Sequence, residues 1–473
     1  MENSNTSIEN RESGSPVSAI DTTIDLLRSH FGDRLTTAMA LREQHGQGED
    51  SHGCMPPDAV IFPHDNEEVA LIAQICNQHQ VPLIPYGTGT SIEGHLLALE
   101  GGVSIDLSQM NSVLKTNPED MDCRVQAGVS REQLNDELRY QGLFFPVDPG
   151  ANASLGGMAA TCASGTNAVR YGTMRENIKG LTIVTADGRI INTGTRARKS
   201  SAGYNLTQLL VGSEGTLGII TEVQLRLHPI PEIIRAAVCS FSSLQDAVNT
   251  VIEAIQMGVP VARMELLNAL QMKACINYSK LQGFEQLPTL FFEFHGSDAM
   301  VNEQIQTIQA ISDSHDGSAF RWAENTEDRN ALWKARHQAY FAGMSLQPGS
   351  KSIPTDVCVP ISRLADSILG AERYARSLGL HCPIVGHVGD GNYHILIVFD
   401  DQDPDQKQKA KDLSRYVVEE ALAMGGTCTG EHGIGSGKKD YLLKEHGEGV
   451  ELMRMIKQAW DPRRILNPGK IFD

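Results

Sequence analysis

Residues 148–191 read DPGANASLGGMAATCASGTNAVRYGTMRENIKGLTIVTADGRII, a stretch that is dense in glycine, alanine and serine. Small side chains occupy positions 150, 151, 153, 154, 156, 157, 159 and 160. Such side chains let a backbone lie flat against a large planar ligand, or pack closely against another helix. The stretch alone leaves both explanations open.

Two more glycine-rich stretches lie on either side of it, PYGTGTSIEGH (85–95) and LLVGSEGTLGIITEVQLRL (209–227). In the first, Gly87 and Gly89 permit close backbone approach, and neighbouring threonine and serine hydroxyls add polar groups. Successive N–H groups in such a turn form an anion-binding concavity suited to a pyrophosphate. An ordinary glycine turn is the commoner explanation of this loop alone. Its spacing is not GxGxxG, which disfavours a nicotinamide-dependent dehydrogenase.

The composition limits the class of protein. The chain has 473 residues, enough for two or three domains, and a net charge of −18, which argues against nucleic acid as a partner. The nine cysteines include no CxxC pair, as is typical of reduced thiols in a cytosolic protein. The polar N-terminus lacks the apolar segment of a signal peptide. We expect a cytoplasmic protein without a transmembrane segment; peripheral contact with the inner membrane and a homodimer remain open.

Alternating short strand and helix patterns predict an α+β chain. We expect a disordered tail over 1–17, a helical segment over 18–50 and a first domain over 51–228. The pattern of predicted strands and helices changes near RLHPIPEI (226–233), where two prolines interrupt a strand pattern. A second domain is expected over 229–425, and a C-terminal segment over 426–473 should return to the first domain's loops.

Two histidines flank a tight turn in GHVGDGNYHILIVFD (386–400), and GTCTGEHGIG (426–435) places Glu431 beside His432. The Gly-Asp-Gly-Asn turn can fold His387 and His394 toward one point, where Glu431 could join them. Two imidazoles and a carboxylate suit Zn²⁺, Mn²⁺ or Fe²⁺. A core histidine bonded to a carbonyl is commoner than a metal ligand, so spacing alone does not decide the question.

Together, the three glycine-rich stretches and the ending NPGKIF resemble the FAD-linked oxidases of the vanillyl-alcohol-oxidase-like superfamily, from about residue 55 onward. The resemblance implies a two-part PCMH-type FAD-binding domain, a ferredoxin-like α+β cap domain that binds substrate, and a C-terminal helical segment. It also implies noncovalent FAD, although His95 is the nearest residue to a position of covalent attachment in some members. The residues assigned to FAD are Pro85, Gly87, Thr88, Gly89, Thr90, Ser91, Gly94, Pro149, Gly150, Ser154, Gly157, Ser164, Gly165, Gly215 and Ile219.

Within that superfamily the chain is most similar to the FAD-dependent D-lactate dehydrogenases, with glycolate oxidase flavoprotein subunits and D-2-hydroxyglutarate dehydrogenases as near relatives. The resemblance implies that His387, His394 and Glu431 bind a divalent metal and that His432 is the catalytic base and contacts substrate. It assigns the substrate carboxylate to Arg336 and Lys351. An isolated Arg or Lys is by default a surface charge.

The implied reaction is oxidation of a D-2-hydroxy acid, D-lactate first, to the 2-oxo acid. A metal would lower the hydroxyl pKa, His432 would remove the proton, and hydride would pass to flavin N5. The hydroxyglutarate group carries Asn where this chain has Leu396, which favours a short apolar substrate side chain. No haem or iron–sulfur cysteine spacing is present, so the electron acceptor is external: a cytochrome, a quinone or a flavoprotein. A glycolate-oxidising subunit and a non-redox metallohydrolase are the alternatives.

Overall fold

The computed structural model describes residues 18–49, 52–323 and 326–472, so the predicted tail over 1–17 lies outside the described residues. The N-terminal helical prediction corresponds to the helices Ala19–Phe31 and Met39–His45. Across the part of the chain that the structure describes, no helix combines the length and the apolar character needed to cross a membrane.

The first sheet carries the loop 87–95 at one strand end. Its strands, in spatial order, are Leu35–Thr36, Ala59–Ile61, Val103–Asp106 and Leu83–Tyr86. The last three run parallel, and ligands of such sheets bind beyond the carboxyl ends of the strands. The crossover helix Asn66–His79 begins at Asp65, whose side chain accepts the N–H of Glu68 at 2.9 Å. It packs its apolar side chains into the core over this sheet.

The second sheet is antiparallel and supports the other two glycine-rich stretches. Its strands, in spatial order, are Val113–Asn117, Asp122–Gln126, Ile219–Arg226, Ile178–Val184 and Ile190–Asn192. The helix Leu155–Thr161 packs on this sheet, and a Cβ on Gly156 would lie 2.5 Å from the Cβ of Ala127. Part of the small-residue pattern therefore serves close packing of this helix.

The third sheet lies in the second half of the chain. Its strands, in spatial order, are Gly317–Trp322, Ile233–Phe241, Thr289–Gly296, Arg263–Leu267, Ile384–His387, Asn392–Phe399 and Lys351–Pro354, with Val357–Cys358 also paired to Asn392–Phe399. The helices that flank it are Leu244–Gln256, Ala269–Ser279, Asp298–Ser314, Thr326–His337, Ala339–Met344, Leu364–Leu378 and Pro404–Ala423. The helices Leu244–Gln256, Asp298–Ser314, Leu364–Leu378 and Pro404–Ala423 contribute to one hydrophobic core. The helices Ala269–Ser279, Thr326–His337 and Ala339–Met344 contribute to a second core. The α+β class is confirmed.

The C-terminal segment returns to the first sheet. After the helices Lys439–His446 and Gly449–Trp460, the carbonyl of Ile465 accepts the N–H of Leu83 at 2.7 Å. The N–H of Asn467 donates to the carbonyl of Leu83 at 2.8 Å. The shorter helices are Arg131–Leu138, Ala168–Tyr171, Met174–Asn177 and Leu206–Leu210, and a two-stranded ribbon pairs Leu143–Phe144 with His228–Pro229. Ser130 caps the helix Arg131–Leu138, because its hydroxyl accepts the N–H of Gln133 at 3.2 Å.

Candidate active site

The three glycine-rich stretches meet one another. Gly87 follows the strand Leu83–Tyr86, and a Cβ on it would lie 2.4 Å from Oγ of Ser154. Ser154 is the N-cap of the helix Leu155–Thr161 and accepts the N–H of Gly157. Gly215 has a φ of +73°, and its Cβ would lie 3.0 Å from Cγ of Pro85. The three stretches therefore approach one another closely at glycines, where a Cβ would crowd the side chain of Ser154 or Pro85.

Two hydroxyls in these loops fit a polar ligand. Within residues 18–49, 52–323 and 326–472, neither Ser91 Oγ nor Ser213 Oγ has a hydrogen-bond partner, although both atoms are buried. Buried polar atoms are normally paired, so these two suit the phosphate or ribityl oxygens of a dinucleotide. The loops as a whole therefore fit FAD.

Other residues assigned to FAD occupy the same three stretches, with two qualifications. Thr88, Gly89, Thr90, Gly94, Pro149, Gly150 and Ser164 lie on the connecting loops or their turns. Gly165 is required by packing, because a Cβ there would lie 2.4 Å from the carbonyl oxygen of Asp148. Ile219 has no exposed surface and packs in the core over the first sheet.

The structure brings His387, His394 and Glu431 together. Oε1 of Glu431 lies 3.4 Å from Nε2 of His387 and 3.3 Å from Nε2 of His394. One ligand atom from each residue lies within 4.8 Å of the others, a spacing that can hold a metal ion. His387 ends the strand Ile384–His387, and His394 lies on the next strand beyond the turn, so the hairpin supplies two of the three groups.

Hydrogen bonds direct the correct ring nitrogens into this cluster. Nδ1 of His387 lies 2.7 Å from Oε1 of Glu265, and Nδ1 of His394 lies 3.0 Å from the carbonyl oxygen of Thr355. Because both Nδ1 atoms face acceptors, they carry the protons and leave Nε2 of each ring as the ligand atom. This arrangement of an acceptor behind each imidazole is typical of metal-binding histidines.

The charges of the cluster match a cation. Burial acts to lower the pKa of His387, but Glu265 and Glu431 outweigh burial and hold that pKa well above its ordinary value. Burial acts to raise the pKa of Glu431, yet the two histidines hold it well below its ordinary value. The surroundings of His387 thus favour positive charge on its ring, where a proton and a divalent cation would compete for Nε2.

His432 lies beside the cluster. Its ring stacks on that of His394, with centroids 5.2 Å apart and an angle of 14° between the planes. Nδ1 lies 3.7 Å from Oδ2 of Asp356 and 3.9 Å from Oε1 of Glu93. Burial lowers the pKa of His432 against the opposing effect of Asp356, so the ring favours its neutral form. A neutral imidazole has one ring nitrogen that can accept a proton.

Arg336 reaches the cluster through Glu265. Its Nε and Nη2 both donate to Oε2 of Glu265, at 2.9 and 2.5 Å, so its planar fork faces a protein carboxylate. Glu265 has no exposed surface and also accepts the proton of His387. Two of the guanidinium nitrogens predicted to bind the substrate carboxylate are thus occupied by Glu265, and Nη1 is the remaining one.

Lys351 requires a correction. Its side chain is 60% exposed and pairs with Asp401 at 2.9 Å. Lys351 also lies four residues before Thr355 on an extended segment, about 13 Å away at the usual rise per residue. The structure does not bring it to the site.

Four buried acidic or basic side chains were missed by sequence reasoning: Glu93, Glu265, Asp356 and Lys438. Nζ of Lys438 lies 2.9 Å from Glu93 and 3.8 Å from Asp356. The available signal was a charge inside an apolar run, as in RMELL (263–267) and DVCV (356–359). A charged residue in a buried strand needs a partner, and here the partners surround the candidate site.

Two family models match the chain. The model described as "FAD binding domain" matches residues 57–194, and "FAD linked oxidases, C-terminal domain" matches residues 230–471. The chain belongs to the FAD-linked oxidases. It is accordingly an FAD-binding oxidoreductase, and the resemblance drawn from the glycine-rich stretches is confirmed.

Curated relatives of this FAD-linked oxidase are similar over most of their length. "Probable D-lactate dehydrogenase, mitochondrial" of Danio rerio is 50% identical over 98% of this chain and 94% of its own. "D-lactate dehydrogenase [cytochrome], mitochondrial" of Arabidopsis thaliana is 46% identical over 95% of this chain and 79% of its own. "Glycolate oxidase subunit GlcD" of Bacillus subtilis is 35% identical over 88% of this chain and 89% of its own.

A solved structure supports the fold of this FAD-linked oxidase. Substrate-bound p-cresol methylhydroxylase superposes with a TM-score of 0.78 over 96% of this chain and 97% of its own, at 18% identity. Likeness at that identity concerns the fold alone. The predicted PCMH-type α+β architecture is thereby confirmed.

Proposed function

We propose that this protein oxidises a D-2-hydroxy acid, D-lactate first, to the corresponding 2-oxo acid, which for D-lactate is pyruvate. The main support is the high identity to relatives named D-lactate dehydrogenase, at 42 to 50% over at least 88% of this chain. The group of His387, His394, Glu431 and His432 adds support, because a cation held there could bind the adjacent hydroxyl and carboxylate oxygens of such a substrate.

Each residue has an assigned part. His387, His394 and Glu431 would hold a divalent cation, Zn²⁺ or Mn²⁺ with Fe²⁺ as a further candidate, in a set of two nitrogens and one oxygen. A bound cation would supply a Lewis acid that eases loss of the substrate's hydroxyl proton. Nε2 of His432 accepts that proton, and Nη1 of Arg336 contacts the substrate carboxylate. Glu265 and Asp356 keep these groups aligned from behind.

The flavin loops complete the proposal. The glycine-rich stretches around Gly87, Ser154 and Gly215 would hold FAD noncovalently, and bound FAD would supply the acceptor for the two electrons and hydrogen leaving the α-carbon. We assign this binding to a domain over 51–228, substrate binding to a cap over 229–425, and completion of the site to 426–473. The acceptor of the flavin's electrons is an external cytochrome, quinone or flavoprotein.

Leu396 is our candidate for substrate selection. It follows His394 by two residues, so both side chains face the same side of the strand. Leu396 is buried, and a Cβ on Gly343 would lie 2.6 Å from its Cδ2, so it packs on the neighbouring helix. An apolar wall there favours a methyl group over a second carboxylate.

The experiment is an anaerobic reduction of the purified protein by D-lactate, L-lactate, glycolate and D-2-hydroxyglutarate, read as loss of the flavin band at about 450 nm. We expect D-lactate to reduce the flavin fastest, and chelation of metal followed by Zn²⁺ or Mn²⁺ to remove and restore the rate. Preference for glycolate would favour a glycolate-oxidising subunit. A colourless preparation would favour the metallohydrolase and overturn the proposal.

A matched variant tests substrate selection. Leu396→Asn keeps the branching at Cγ but adds hydrogen-bonding groups, and we expect it to raise the ratio of D-2-hydroxyglutarate to D-lactate turnover by about tenfold or more. An unchanged ratio would remove Leu396 from substrate recognition.

The relatives' names include "mitochondrial", which does not support the expected cytoplasmic location, so that location stays a prediction.

A further inference from the structure

Asp356 is a fully buried carboxylate with an unusual number of donors from one loop. Its Oδ2 accepts the backbone N–H groups of Glu431 at 3.0 Å and His432 at 2.9 Å, and the hydroxyl of Thr429 at 2.7 Å. Its Oδ1 accepts the side-chain amide of Asn392 at 2.9 Å. One buried side chain therefore ties the loop 429–432 to the histidine hairpin.

The residue before it acts on the hairpin itself. The Thr355 carbonyl oxygen lies 3.0 Å from Nδ1 of His394, and the Thr355 hydroxyl accepts the N–H of Ile395 at 3.0 Å. The backbone N–H of Thr355 also donates to the carbonyl of Ile395 at 3.0 Å. Thr355 thereby fixes both the position of the strand at His394 and the ring nitrogen that carries the proton.

We propose that Thr355 and Asp356 together are the positioning element of the candidate active site. Thr355 sets the ring of His394, and Asp356 sets the backbone from which Glu431 and His432 project. This inference rests on the proposed function for its consequences in metal binding and turnover. The positioning role itself concerns the order of the loop 429–432, which amide exchange can measure without metal or substrate.

The geometry explains why a carboxylate is needed at position 356. Three donors reach one oxygen from different directions, and an ionised oxygen accepts several N–H and O–H groups more strongly than a neutral one. The positive charge of Lys438, 3.8 Å from the same oxygen, compensates the buried charge. The loop also approaches closely at Gly430, where a Cβ would lie 2.2 Å from Nδ2 of Asn392. This close packing restricts the backbone conformations from which Glu431 can contact the two histidines.

The first test is Asp356→Asn, which keeps the shape and removes the charge. We expect faster amide exchange in a peptide covering 429–433, metal affinity lowered by about tenfold to a hundredfold, and unchanged FAD content. We expect kcat to fall more than KM changes, because the aligned groups act on the reacting hydroxyl. Unchanged exchange together with metal affinity within about threefold of the parent would overturn the proposal.

Asp122→Asn is the matched control. Asp122 is equally buried and is bound by Lys179 at 3.1 Å and by Arg196 at 3.0 Å, but it lies on the second sheet. This variant should lose stability without changing exchange at 429–433 or metal affinity. If both variants lower metal affinity equally, the effect is a general consequence of losing a buried charge, and Asp356 has no positioning role.

A second pair approaches the same contact from the loop and remains decisive if Asp356→Asn fails to fold. Thr429→Val removes the hydroxyl that donates to Asp356, whereas Thr429→Ser retains it. We expect the valine variant to exchange faster at 429–433 and bind metal more weakly, and the serine variant to behave like the parent. Equal behaviour of the two variants would overturn the proposal.

The outcomes distinguish failure of the proposed function from failure of the positioning role. If the parent protein binds no divalent metal, the metal part of the proposed function fails, while amide exchange in the same variants still decides the positioning role. If the parent binds metal and oxidises D-lactate but both pairs of variants match their controls, only the positioning role fails.

Discussion

Replacing Glu265 by glutamine tests whether the residues behind the candidate metal ligands determine metal binding. Glu265 lies at the centre of a buried chain in which Arg336 donates twice to Oε2 and His387 lies 2.7 Å from Oε1. A glutamine has nearly the same shape but offers one oxygen and one NH₂ group. If the oxygen keeps Arg336, the NH₂ group faces Nδ1 of His387, and two donors then oppose each other.

A change of the His387 tautomer would relieve this opposition of two donors but would weaken the metal site. His387 can move its proton from Nδ1 to Nε2, which satisfies the glutamine but blocks the nitrogen that faces Glu431. We expect metal affinity to fall by about tenfold to a hundredfold, the usual cost of changing the partner behind a metal ligand. That corresponds to about 1.4 to 2.7 kcal/mol of binding free energy. Loss of the carboxylate opposite the buried Arg336 should also lower the free energy of unfolding by roughly 3 kcal/mol.

The chain offers a close control in Glu293→Gln. Glu293 is buried on the adjacent strand, where it accepts Nε2 of His295 at 2.9 Å and lies 3.5 Å from Nε of Arg263. It thus has one histidine and one arginine as partners, like Glu265, but neither partner faces the cluster. The control should lose comparable stability while keeping metal affinity and turnover.

The assay combines calorimetric metal titration of chelator-treated protein, chemical unfolding and steady-state turnover with D-lactate. Metal affinity of Glu265→Gln within about threefold of the parent, together with lost stability, would show that the carboxylate is only structural. Equal loss of metal affinity in both glutamine variants would refute the tautomer argument, since His295 binds no ligand in the proposal.

Three further outcomes are expected. His432→Ala should retain FAD and metal while lowering kcat by about a hundredfold or more, the contribution of a general base, as measured by stopped-flow flavin reduction. Lys351→Met should leave KM for D-lactate unchanged, because its ammonium pairs with Asp401 at the surface; a raised KM would return it to the site. Burial lowers the pKa of Lys470 to about 8, so the unfolded chain binds more protons above that pH and the free energy of unfolding should rise toward pH 10 relative to Lys470→Met, measured by urea unfolding.

The sequence was most informative where function needs local patterns. The glycine-rich loops and the hairpin that carries two histidines are each encoded within a few residues, so these local elements could be read from the sequence. Helix ends such as the Ser130 cap were predictable for the same reason. The convergence of the loops and the hairpin on shared sites was implied only by the family resemblance. The fold class followed from the order of these elements and from the family resemblance.

The buried charges behind the site could not be predicted in this way. Glu265 is separated from Arg336 by 71 residues and from His387 by 122, and Asp356 is separated from His432 by 76. No local spacing encodes such pairs, because they depend on the order and register of strands in the third sheet. The assignment of Lys351 to the substrate carboxylate came from the resemblance alone. In the structure, the pairing of its strand with Asn392–Phe399 places the Lys351 side chain beside Asp401.

The loop that carries Glu431 is held at its other end by the flavin-binding half of the chain. The two carboxylate oxygens of Glu214 accept the N–H groups of Ile434 at 2.7 Å and Gly435 at 2.8 Å, and Glu214 lies between Ser213 and Gly215 in the third glycine-rich stretch. Asp356, in the second half of the chain, binds the same loop through the N–H groups of Glu431 and His432. Because one short loop is bound by carboxylates from both halves, the candidate cation cannot shift relative to the flavin loops without breaking charged hydrogen bonds.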